Sequence, residues 1–60
     1  MDKTITEFKL LTKPKMVVTI IETMVQQGWD ISNFVYSFKS YTKAELINNY
    51  VRLLEYGEKN

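Results

Sequence analysis

The residues of this chain best able to do chemistry are lysines placed where helices are expected to begin. Four basic side chains are candidate contacts for an anion or a nucleic acid: Lys9, Lys13, Lys15 and Lys43. The first three form a run without an acidic residue, and the last three fall in the first turns of predicted helices. The positive end of a helix dipole attracts phosphate there. Solvated lysines on a nearly neutral protein are the commoner explanation, so nucleic-acid binding is the less favoured expectation.

Histidine and cysteine are absent from the chain. Without imidazole and thiolate, the usual zinc and iron ligand sets are excluded, and acid–base or nucleophilic chemistry would fall to hydroxyls, lysines and carboxylates. The acidic residues are scattered and form no convincing pair, and Asp30 and Glu45 are accounted for as helix-capping residues. We therefore expect no enzyme activity, no metal and no cofactor.

A second set of residues suits contact with another protein. The predicted first long helix has apolar side chains over roughly 200° of its circumference, about twice what packing against one neighbour needs. Either this helix is central and touches two neighbours, or part of the stripe is an interface with a partner or a second copy. The candidate interface residues are Val18, Ile21, Val25 and Tyr36.

Three helix starts are marked by a capping residue between two apolar residues, the arrangement of a hydrophobic staple. The capping residues are Thr12, Asp30 and Thr42. Apolar residues at helical spacing follow each of them and predict helices over about residues 13–27, 31–39 and 43–56. The middle segment also alternates like a strand, but the helical interpretation is favoured.

The ends of these helices are also marked. Gly28 and Gly57 are expected to end the first and the third, because glycine adopts the left-handed conformation of a helix C-terminus freely. Thr42 and Glu45 have the spacing of a capping box. The N-terminal segment, residues 3–10, is ambiguous: its pattern fits either a helical turn or a strand, and a lone strand would need a second copy to pair with.

Size and composition predict one small, mainly α domain of three helices spanning residues 1–60. The chain is 45% hydrophobic and 13% aromatic, which is too apolar for a disordered tail. A domain this short buries only about 60% of its unfolded surface, so stability depends on good helix packing or on association.

One family resemblance is visible from residue 4 to about residue 40. An alternating segment, a helix, the loop Gly28-Trp29-Asp30-Ile31-Ser32 and a second helix resemble the order of elements in the ribbon-helix-helix repressors. That resemblance implies a dimer whose paired strands enter the major groove of DNA, with Glu7, Lys9 and Leu11 as the readers. A helix-turn-helix arrangement of residues 31–55 is a further possibility.

Charge and hydropathy bear on location and partners. The net charge is +1, which gives no strong field toward nucleic acid or an anionic membrane. The longest apolar stretch, residues 16–25, is too short and too interrupted to span a bilayer, and no secretory signal is visible. We expect a cytoplasmic regulatory protein that masks or inhibits a larger partner, either as a single chain or as a homodimer. The alternative is a small dimeric DNA-binding transcription regulator.

Overall fold

The computed structural model describes the backbone of residues 2–32 and 37–59, and the side chains of residues 4–32 and 37–57. Three α-helices account for most of these residues: α1 (Asp2–Lys9), α2 (Lys13–Gln26) and α3 (Lys43–Lys59). A short 3-10 helix, Ser37–Ser40, precedes α3. The described residues contain no strand, so the expected mainly α, three-helix fold class is confirmed.

The ambiguous N-terminal segment is the helix α1. Its helical face wins over its alternating pattern because Phe8 is buried and stacks on Tyr50 of α3, with ring centroids 4.1 Å apart. The other members of the alternating pattern, Thr4, Thr6 and Leu10, are all exposed. The prediction of a strand in this segment, on which the ribbon-helix-helix alternative depended, is therefore wrong.

α2 begins and ends close to the predicted residues. Thr12 occupies the N-cap position with extended backbone, but its side chain makes no capping hydrogen bond. At the other end Gly28 has φ of 87°. The Gly28 N–H donates to the Val25 carbonyl at 3.0 Å, and the Trp29 N–H donates to the Met24 carbonyl at 2.9 Å. These are the two bonds of a Schellman motif, so the prediction for Gly28 is confirmed.

The middle element differs from the expected helix over residues 31–39. Ile31 and Ser32 are not helical, residues 33–36 lie outside the described part, and the remainder forms the 3-10 helix. The Asp30 carboxylate accepts hydrogen bonds from the backbone N–H and the hydroxyl of Ser32, at 3.1 and 2.8 Å. These bonds close a local turn over residues 30–32. The helix-turn-helix alternative needed a helix that begins at residue 31, but Ile31 and Ser32 are not helical.

α3 starts as predicted and runs past its expected end. The Glu45 N–H donates to the Thr42 hydroxyl at 3.2 Å and the Thr42 N–H donates to the Glu45 carboxylate at 2.8 Å, a complete capping box. Gly57 does not end the helix, which continues to Lys59. A Cβ at Gly57 would lie 2.9 Å from Nε2 of Gln27, so glycine here makes room for a side chain of another element.

The core lies where all the described helices meet. The principal helix pairings are α2 with α3 and α1 with α3, which makes α3 the shared neighbour. Seven residues from four elements form the buried cluster: Phe8, Met16, Ile20, Met24, Phe38, Leu46 and Tyr50. Among the described side chains no buried polar atom lacks a hydrogen-bond partner. The core is therefore apolar and satisfied, and α2 uses one face for it.

Candidate protein interface

α2 carries a second line of apolar residues away from the core. Its core line is Met16, Ile20 and Met24, all buried. The second line alternates steps of four and three residues, and we call it the α2 seam: Pro14, Val18, Ile21 and Val25. Because each helical residue turns about 100°, Val18 lies about 160° around the helix from Ile20. Steps of four and three are the spacing of helices that pair along a seam.

The predicted interface residues differ in how much of each side chain is exposed. Val18 and Val25 are each 55% exposed. Ile21 is half-buried and packs against the core, while Pro14 is exposed. Tyr36 lies outside the described residues. Thus the structure puts Val18 and Val25 on a solvent-facing line and places Ile21 at the edge between that line and the core.

The surface beside the seam is concave. A shallow depression of about 270 Å³ is lined by Leu11, Pro14, Lys15, Val18 and Thr19, mostly with apolar atoms. Its floor includes the turn that joins α1 to α2. The apolar surface is therefore continuous from that turn into the first half of the seam, which is what a packed contact requires.

The fully exposed charged residues beside the seam lie on one flank. Lys15 directly follows Pro14, and Glu22 directly follows Ile21, so both occupy the same side of the seam and both are exposed. The residues directly before Val18 and Val25 are Val17 and Met24, which belong to the core or pack against it. Lys13, directly before Pro14, lies on that second flank, but it is half-buried and its Nζ donates to the Lys39 carbonyl. The fully exposed charges are thus available to a partner from one side of α2.

The predicted anion contacts lie on three different helices. Lys9 is in the last turn of α1 and Lys43 begins α3. Lys13 lines a groove with Pro14, Val17 and Lys39, and its Nζ donates to the Lys39 carbonyl at 3.3 Å. Lys15 lines the depression next to Val18 instead. Lys13 and Lys15 are two residues apart on a helix and so point to different sides.

A second exposed apolar feature was missed by the sequence analysis. Trp29 and Tyr56 are 40% and 46% exposed, and their rings lie 5.3 Å apart. The Trp29 indole N–H donates to Oε1 of Gln27 at 3.0 Å, while Nε2 of Gln27 donates to the Leu53 carbonyl at 2.8 Å. This bridge ties the end of α2 to the last turns of α3. The signal available was Gly28, since a Schellman motif places an apolar residue directly after its glycine.

Asp30 has an electrostatic role in the turn after α2. Hydrogen bonds from the Ser32 backbone N–H and then from the Ser32 hydroxyl stabilise the carboxylate and lower the Asp30 pKa below its usual value. The group is an anion at neutral pH and its acceptor oxygen is engaged by the turn. Its chemistry is therefore that of a turn former.

The described part of the chain offers little to the other classes of site. No cluster of three or more possible metal-ligating side chains occurs there. None of the helices described is both long and apolar enough to cross a bilayer. An apolar cleft of about 180 Å³ between α2, the 3-10 helix and α3 is lined by Ile20, Met24, Trp29, Phe38, Tyr41, Asn49 and Leu53.

Comparisons with known proteins add no relative. No protein-family model matches the chain, and neither the curated proteins nor the solved structures gave a match.

Proposed function

We propose that this protein is a small, non-enzymatic cytoplasmic regulator that acts by binding another protein chain through the α2 seam. The partner is a larger protein that the seam masks, or a second copy. The observation that carries the proposal is the pair of valines, each 55% exposed, on one line of a helix whose opposite face already supplies the core.

The energetic reason is the apolar area left in water. Burying a valine side chain fully is worth about 1.5–3 kcal/mol. With just over half of each valine still exposed, Val18 and Val25 together offer about 2 kcal/mol to a partner that covers them. Isolated exposed valines are ordinary, but two on one line beside an exposed proline and an apolar depression form a patch.

The test is loss of association when the patch becomes charged. Val18→Asp with Val25→Asp is expected to abolish capture of a partner from the source cells, or self-association, because two buried carboxylates would be unpaired. The milder Val18→Gln with Val25→Gln keeps good helix formers and guards against an unfolded variant. The matched control places two carboxylates elsewhere: Thr6→Asp with Asn48→Asp, both exposed and off α2.

Circular dichroism establishes that each variant keeps its helices. The proposal is supported if both seam variants lose association and the control keeps it. It is wrong if the folded seam variants capture the same proteins and self-associate as the wild type does.

A further inference from the structure

The charged flank of the seam narrows the choice of partner. Lys15 and Glu22 are seven residues apart, so they occupy the same position in successive heptads. Each directly follows an apolar seam residue, whereas the opposite flank carries core-packing side chains and Lys13. A partner helix that pairs with this seam meets one positive and one negative charge on the same side, in a fixed order along α2.

A second α2 that runs in the opposite direction places an opposite charge beside each of these two residues. A two-fold axis between Val18 and Ile21 sets Val18 level with Ile21 of the second copy, and Pro14 level with Val25. Lys15 then lies within about 3 Å, along the helix axis, of Glu22 on the second copy. The two-fold axis repeats the pair, so both lysines face carboxylates.

A parallel arrangement of two α2 helices does not bring opposite charges together. There the charged flank of one helix faces the other flank of its partner, where Val17 and Met24 turn toward the core. Lys15 would face the like charge of Lys13 across the seam, and Glu22 would find no lysine at its own level along the helix axis. Charge complementarity therefore selects the antiparallel pairing.

We propose that the α2 seam docks on the α2 seam of a second copy of this chain, antiparallel, with Lys15 of each copy pairing with Glu22 of the other. This rests on the proposed protein-binding function and names the partner. The contact spans about 17 Å of helix from Pro14 to Val25, so the dimer is a weak, concentration-dependent one.

The experiment exploits a property of such a pair. Lys15→Glu alone sets two carboxylates opposite each other twice, and Glu22→Lys alone does so with two ammonium groups. Each variant is expected to dimerise about tenfold more weakly than the wild type in sedimentation equilibrium. An equimolar mixture of the two variants restores opposite charges at both sites, so a heterodimer should form with nearly wild-type affinity.

Net charge needs its own control, because the two variants also attract each other non-specifically. Lys43→Glu and Glu55→Lys change the net charge equally at exposed positions on α3. Each is expected to dimerise like the wild type, and mixing them should give no preference for the heterodimer. Native mass spectrometry with one isotopically heavy chain counts homodimers and heterodimers directly.

The outcomes separate the two proposals. If the wild type stays monomeric up to about 1 mM while the seam variants still lose capture of a cellular partner, self-pairing is overturned and the proposed function stands. If the chain dimerises through Val18 and Val25 but the Lys15 and Glu22 variants show neither weakening nor preferential mixing, the antiparallel register is overturned. If neither association nor capture depends on the seam, both proposals fail.

Discussion

Replacing Gly57 with alanine should change the stability of the wild-type chain little, although alanine is the better helix former. In a helix this substitution normally gains about 0.5–1 kcal/mol. Here the new Cβ would lie 2.9 Å from Nε2 of Gln27, closer than packed atoms allow. The Gln27 amide must shift away from the new methyl group, which breaks the hydrogen bond from Nε2 to the Leu53 carbonyl. Losing one such bond costs about 0.5–1.5 kcal/mol, which offsets the gain.

A double-mutant cycle isolates this contact. Gln27→Ala alone should destabilise by about 1 kcal/mol. In that background Gly57→Ala should stabilise by about 0.5–1 kcal/mol, because nothing obstructs the methyl group. The coupling energy is therefore about 1 kcal/mol, within the range for residues in contact. Urea unfolding of the four chains, followed by circular dichroism at the helical band, measures it.

Gly28 supplies the converse control. A Cβ there meets no atom within 4 Å, but φ is 87°, so alanine is strained by its backbone alone. Gly28→Ala should cost about 1–2 kcal/mol with or without Gln27. The account of Gly57 is refuted if Gly57→Ala stabilises the wild-type and Gln27→Ala chains equally.

Three further substitutions test the cap of α3 and its contact with α1. Thr42→Ala should cost about 1 kcal/mol in urea unfolding, and Glu45→Ala added to it should cost less than it does alone, because the two side chains cap reciprocally; full additivity would contradict the capping box. Phe8→Ala should cost about 3–5 kcal/mol, because it removes a buried ring together with its stack on Tyr50 and leaves a cavity; this is as large as the whole stability of many 60-residue domains. Retention of α1 in that variant, seen as unchanged backbone chemical shifts, would show that Phe8 does not anchor the helix.

Local signals in the sequence were sufficient wherever the structure is decided by neighbours along the chain. The capping box at Thr42 and the left-handed Gly28 each depend on atoms within a few residues, and both were predicted correctly. Apolar spacing was sufficient for α2 because its core line repeats every four residues.

The sequence-based predictions were wrong or ambiguous where the local structure depends on a distant residue or on a side-chain hydrogen bond. α1 could not be separated from a strand because its anchor, Tyr50, is 42 positions away from Phe8. Gly57 was expected to end α3, but Gln27 from another element explains the glycine. After Asp30, the bonds to Ser32 form a turn that apolar spacing does not reveal.

The excess apolar width of α2 depended on the same kind of distant information. A central helix with two neighbours would have covered it, but the helix shared by both principal pairings is α3. Val18 and Val25 consequently remain exposed while Ile21 is half-buried against the core. A substitution at Ile21 therefore changes folding and association together. The exposed parts of Val18 and Val25 are buried only when a partner binds, so substitutions there change mainly association. That difference is why charge at the two valines can separate binding from stability, and why Ile21 cannot serve as the probe.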